Sequence, residues 1–161
     1  WGKYVHLFSF LQVYVLQGVL MIAVASPLLF TALATPQPIS TLVYIGIVVW
    51  MIGFFFESVG DYQLSQFIKN PNNRGAILSR GLWKYTRHPN YFGEVTMWWG
   101  IFLISLSAGV GFWALVSPLT ITILILGVSG IPMLEKKYEG NAAFDAYKQK
   151  TSAFFPLPPK S

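Results

Sequence analysis

Between Glu57 and Glu94 the chain gathers acids, cations and amides that could bind and position a charged ligand. Glu57, Asp61, Leu64 and Ser65 share one face if their segment is helical. Arg80, Lys84 and Arg87, spaced four and three apart, would be aligned by a turn of helix. The next residues, "HPNYFGE" (88 to 94), place Pro89 where a helix can start, because a first-turn N–H has no partner to lose. His88 or Asn90 would then flank the helix start, and Glu94 would complement its positive end. Free backbone N–H groups beside three aligned cations form an anion site, and phosphate suits the forked donor of arginine. A basic belt at a lipid surface would also use Arg and Lys, but has no need of the ordered His-Pro-Asn-Tyr-Gly-Glu. A metal site on His88, Asp61 and Glu94 is disfavoured because the chain has only two histidines, and His6 reads as an interfacial residue. No metal is expected. Neither a Walker loop nor a Rossmann glycine fingerprint is present.

These residues border a membrane. Of 161 residues 54% are hydrophobic and 11% charged, and the mean hydropathy is +0.53, too apolar for an ordinary soluble domain. Residues 7 to 56 and 95 to 134 contain no Asp, Glu, Lys or Arg. Each run is about twice the ~20 residues of one helical span, and neither alternates as a barrel strand would. "ATPQPIS" (34 to 40) and "SLSAGVGF" (105 to 112) split the runs with turn chemistry. The expected fold is therefore an all-α integral membrane domain over 1–161, with about four transmembrane helices near 8–33, 41–60, 91–108 and 112–134. A short amphipathic helix follows, its stripe formed by Phe144, Tyr147 and Thr151. "NPNNRG" (70 to 75) reads as a turn, and the tail "PLPPKS" as an extended terminus.

All eleven basic residues fall before span one, between spans two and three, or after span four. By the positive-inside rule the basic loops and both ends are cytoplasmic, in a bacterial inner membrane or the endoplasmic reticulum. The net charge of +5 thus reports topology and not a nucleic-acid partner. The chain has no cysteine, which removes disulfides and thiolate metal sites. Gly46, Gly53 and Gly60 recur every seven residues, as do Gly93 and Gly100, a spacing that lets helices approach closely. Four acids, Glu57, Asp61, Glu94 and Glu135, sit at the ends of spans, where each must face the bundle interior, a partner or water.

The blocks "FFFESVGDYQLSQFIKNPNNRG", "SRGLWKYTRHPNYFGEVTMWWG", "VSGIPMLEKK" and "YKQKTSAFFPLPP" resemble, in order and spacing, a membrane family of unassigned function related to the steroid 5α-reductases. The wider group includes sterol Δ14-reductases and isoprenylcysteine carboxyl methyltransferases. The resemblance covers the C-terminal portion of such proteins, so the chain is expected to be a fragment of a larger helical bundle. It implies hydride transfer from NADPH to a C=C bond of a lipid or steroid-like enone, with membrane lipids as surroundings and a lipid-like small molecule as substrate. The residues it implies at the cofactor are Asp61, Lys69, Arg74, Lys84, Arg87, His88, Asn90, Tyr91, Glu94 and Tyr147. The catalytic, substrate-activating residues are expected upstream of residue 1. "RHPNYFG" followed by a C-terminal acid and Tyr also resembles the S-adenosylmethionine-dependent methyltransferases of the group, which is the main alternative. A non-enzymatic membrane module is the third.

Overall fold

The computed structural model describes residues 4–160, without the side chains of His6 and Leu7. The expectations placed on the basic residue before span one, Lys3, and on the His6 side chain lie outside what is described. α1 (Val5–Ser9) runs through a π-helical segment, Phe10–Val15, into α2 (Leu16–Leu33). Pro27 cannot donate to the carbonyl of Ala23 four residues earlier, and the Ser26 hydroxyl takes its place at 2.8 Å. The span therefore tolerates its proline without leaving that carbonyl bare in an apolar surrounding.

After the proline-containing connection comes α3 (Thr41–Lys69), then α4 (Pro89–Ser107). A 3₁₀ turn, Gly111–Leu115, leads into α5 (Val116–Ile123), a π-helical segment Leu124–Val128 and α6 (Ile131–Lys136). α7 (Ala142–Lys150) is capped by the Asn141 side chain, which accepts from the N–H groups of Ala143 and Phe144. Among the described residues, the stretches long and apolar enough to cross a membrane are Phe10–Leu33, Thr41–Lys69 and Gly111–Lys136. The chain is thus an all-α, multi-pass membrane protein.

The third expected span, α4, lies where expected but is less apolar than the other three. Asn90, Glu94 and Thr96 occupy its first half, and it is enclosed by α2, α3 and α5. Its Pro89, Gly93, Val95, Gly100, Phe102 and Ser105 are buried. By contrast α3 exposes Tyr44, Ile45, Val48, Met51, Ile52 and Phe55 on its outer surface, the composition of a lipid-facing stripe. α3 also runs past its expected end at residue 60, because Asp61, Gln63 and Gln66 are polar without breaking a helix.

α3 and α4 form the most extensive helix pair, antiparallel and almost without side chains between them. A Cβ on Gly46 would lie 2.9 Å from the Gly100 carbonyl oxygen, and one on Gly53 would lie 2.7 Å from that of Gly93. At the basic end, a Cβ on Gly60 would meet the Asn90 backbone nitrogen at 3.1 Å. Both heptad-spaced glycine series thus face each other across one seam. At the opposite end, the Ser40 and Ser107 hydroxyls are 2.6 Å apart, which brings the two hairpin connections together.

Candidate functional site

The segment Arg80–Pro89 is positioned by α3 on one side and the C-terminal tail on the other. Gly81 has φ +62°, so the chain turns there, and Gly81–Lys84 is a 3₁₀ turn. The Leu82 N–H donates to Gln63 Oε1 at 2.9 Å, and Trp83 Nε1 donates to the Gly60 carbonyl at 3.1 Å. Thr86, fully buried, pairs with Ser152 in an isolated parallel bridge. The Thr86 hydroxyl donates to the Ala153 carbonyl at 3.2 Å, and the Arg87 N–H donates to the Ser152 carbonyl at 2.8 Å. This corrects the expected helical turn aligning Arg80, Lys84 and Arg87. The left-handed glycine and the extended pairing leave Arg80 and Lys84 exposed, while Arg87 and His88 turn inward.

Arg87 is 7% exposed and His88 3%. Glu135, on α6, accepts from both through one oxygen, Oε1: Arg87 Nε at 2.8 Å and His88 Nε2 at 3.0 Å. Its Oε2 is 3.4 Å from Lys148 Nζ on α7. Arg87 Nη1 reaches the carbonyl of Lys148 at 3.3 Å and makes a second, short bond to that of Thr151. One guanidinium therefore joins α6, the end of α7 and the loop before α4. Burial pushes the His88 pKa below its usual value of 6.5, and the Arg87 charge adds to this, against the opposing pull of Glu135. His88 is accordingly neutral. With Nε2 donating to Glu135, Nδ1 is buried without a partner among the described residues. The His88 ring stacks on Tyr91, centroids 5.5 Å apart.

Beside this cluster is a cavity of about 450 Å³. Its walls are mainly apolar: Leu64 and Phe67 of α3, Leu78 and Trp83 of the loop, Tyr138, and Phe144 of α7. Tyr138 and Phe144 stack with centroids 4.7 Å apart. The Tyr147 hydroxyl donates to the Trp83 carbonyl, and burial raises its pKa, so it remains a donor. The polar lining includes Arg74, Asn73, Arg87, His88 and Glu135. The stripe expected on α7 is thus turned into the protein: Phe144 and Thr151 are buried and Tyr147 half-buried.

Arg74, Arg87, His88 and Tyr147, of the residues expected at a cofactor, line this cavity. Asp61, Asn90 and Glu94 belong instead to the α3–α4 seam. Asn90 Nδ2 donates to Asp61 Oδ1 at 3.0 Å. The backbones of Gly93 and Glu57 touch, so that a Cβ on Gly93 would overlap the Glu57 nitrogen. Tyr91, stacked on His88, packs against the Val95–Ile125–Ile131–Phe154 core and does not line the cavity. Lys69 is exposed at the end of α3, and neither it nor Lys84 lines the cavity. Sequence reasoning left Glu135 outside the cofactor set, although an acid closing a forty-residue uncharged run was a visible signal. Trp83 and Tyr138 carried no comparable signal, since tryptophan and tyrosine at a membrane border are ordinary.

A family profile described as "Protein of unknown function (DUF1295)" matches residues 1–151. The steroid 5-alpha-reductase DET2 of Arabidopsis thaliana is 37% identical over 70 residues, which are 42% of this chain and 26% of that protein. The match thus spans about a quarter of the relative's length. No solved structure matches.

Proposed function

This chain belongs to the DUF1295 family, and we propose that it is part of an NADPH-dependent membrane reductase acting on a C=C bond of a lipid or steroid-like enone. The observation that carries this is the cavity beside the Arg87–Glu135 cluster, together with the partial match to a protein named as a steroid 5-alpha-reductase. The residues fit a dinucleotide. Arg74 at the cavity and Lys69 nearby have no ion-pair partner among the described residues, and they are the groups we assign to phosphates. Trp83, Tyr138 and Phe144 offer faces on which a planar ring can stack. Arg87 is committed to Glu135 and two carbonyls, so it positions the wall more than it reaches out.

NADPH, when bound, supplies a hydride. The Asp61–Asn90 pair and Glu94 lie outside the cavity, at the basic end of the closed α3–α4 seam. Burial of the cluster excludes water from the cavity floor, and Glu135 is held in place from three sides. By the positive-inside rule this basic end faces the cytoplasm, where the nucleotide is found.

The charge balance favours NADPH over S-adenosylmethionine. Arg74, Arg87 and Lys148 set three positive charges against the single carboxylate of Glu135. Such a surround attracts phosphates and repels a sulfonium. Titrating both cofactors against one detergent preparation of the chain tests this. Saturable NADPH binding without S-adenosylmethionine binding is expected. Tighter S-adenosylmethionine binding would overturn it in favour of methyl transfer, and binding of neither would favour a non-enzymatic module.

A further inference from the structure

Lys84 belongs to the most motif-like stretch of the sequence, yet it lies outside the cavity. The fold places it beside two lysines from distant parts of the chain. The Lys160 N–H donates to the Lys150 carbonyl at 2.9 Å, which sets the tail alongside the end of α7. The next residue, Thr151, contacts the Lys84 carbonyl through its hydroxyl at 3.5 Å. The Leu157 N–H bonds the Tyr85 carbonyl at 3.0 Å, and Thr86 is separately bridged to Ser152, so the tail crosses the loop at two points. Lys84, Lys150 and Lys160 therefore leave one small patch of backbone. All three are exposed, and none has an ion-pair partner among the described residues. Lys148, between them in sequence, is the lysine spent on Glu135.

Three unpaired like charges held together by backbone pairing repel one another, and an anion relieves that repulsion. The surroundings indicate which kind. Phe155 is 63% exposed and Leu157 53%, and they belong to the same tail, between the Thr86–Ser152 bridge and the Lys160–Lys150 bond. Phe155 also packs edge-on against Phe92 of α4, with centroids 6.2 Å apart, so the apolar edge of the patch is continuous with a membrane-embedded helix. Cations beside exposed aromatic and aliphatic groups at the end of a bundle match the boundary between headgroups and acyl chains.

We propose that Lys84, Lys150 and Lys160 form a headgroup site for an anionic phospholipid, with Phe155 and Leu157 inserted in the acyl region beneath it. The site is independent of the reductase reading and removes Lys84 from the nucleotide.

The test is the selectivity of the full chain, reconstituted in phosphatidylcholine, for spin-labelled phosphatidylglycerol over spin-labelled phosphatidylcholine. Roughly fivefold or greater selectivity is expected, as juxtamembrane lysines attract anionic lipid individually. The K84Q/K150Q/K160Q variant should lose it, and the K84R/K150R/K160R variant should keep it. In about 1 M salt, where the Debye length is about 3 Å, the wild-type selectivity should collapse, an arm that needs no variant. Selectivity that is absent in the wild type, survives about 1 M salt, or persists in the glutamine variant would overturn the proposal. So would loss of NADPH binding by the glutamine variant with its lipid selectivity intact. Failure of the wild type to bind NADPH bears only on the reductase reading.

Discussion

The α3–α4 seam, which runs along both helices, and the junction around Arg87 at its basic end hold the molecule together by opposite means. At the seam, side chains are removed: five glycines let two backbones touch, and attraction comes from close packing. At the junction, side chains are added: a buried guanidinium, an imidazole and a carboxylate tie together segments 48 and 61 residues apart in sequence. The seam is periodic. The junction is polar and has no period. A periodic contact can be read along one stretch of chain, whereas a long-range polar contact becomes visible only when the chain has folded.

The sharpest way to break the seam is Gly93→Leu, which drives a side chain into the Glu57 backbone. A loss of about 3 kcal/mol or more is expected, seen as failure to purify a monodisperse helical protein. Gly18→Ala is the matching control. Nothing lies within 4 Å of a Cβ there, so its unfolding midpoint should stay at or slightly above that of the wild type.

Breaking the junction should cost about as much by a different route. Arg87→Ala removes a buried partner from Glu135 and from two carbonyls, with an expected loss of about 3 kcal/mol. Denaturant unfolding in mixed micelles reads it, and a neutral result would mean that the cluster is not buried as described. Tyr147→Phe deletes only the hydroxyl bond to the Trp83 carbonyl and should cost about 1 kcal/mol.

The smallest effect separates the regions by pH. His88 is kept neutral by burial, with its folded pKa below the usual 6.5. Its contribution is therefore fully present above 6.5 and is lost as pH falls from there toward the folded value, because the unfolded chain binds the proton more readily. The unfolding midpoint should decline below pH 6.5 in the wild type and decline less in His88→Gln. Equal slopes would place the pH dependence elsewhere.

Much of the seam was legible in the sequence. The span positions, both hairpins, the heptad glycines and Pro89 at the start of α4 all follow from local composition and period. So does the α7 stripe. Local pattern failed where an isolated residue changed the backbone. Gly81 converted an expected cationic helix face into a turn, parting Lys84 from Arg87. Glu135 was visible as an acid at a span's end, but its triple partnership required α7 to fold back over the loop.

In the proposed reading the cavity at the junction holds the nucleotide and the lysine patch outside it does not. NADPH titration of the wild type, Arg74→Ala and Lys84→Ala tests this directly. NADPH binding is expected to weaken roughly tenfold in Arg74→Ala, the loss of one charge-assisted phosphate contact, and to stay unchanged in Lys84→Ala. Binding weakened by Lys84→Ala and unaffected by Arg74→Ala would contradict it.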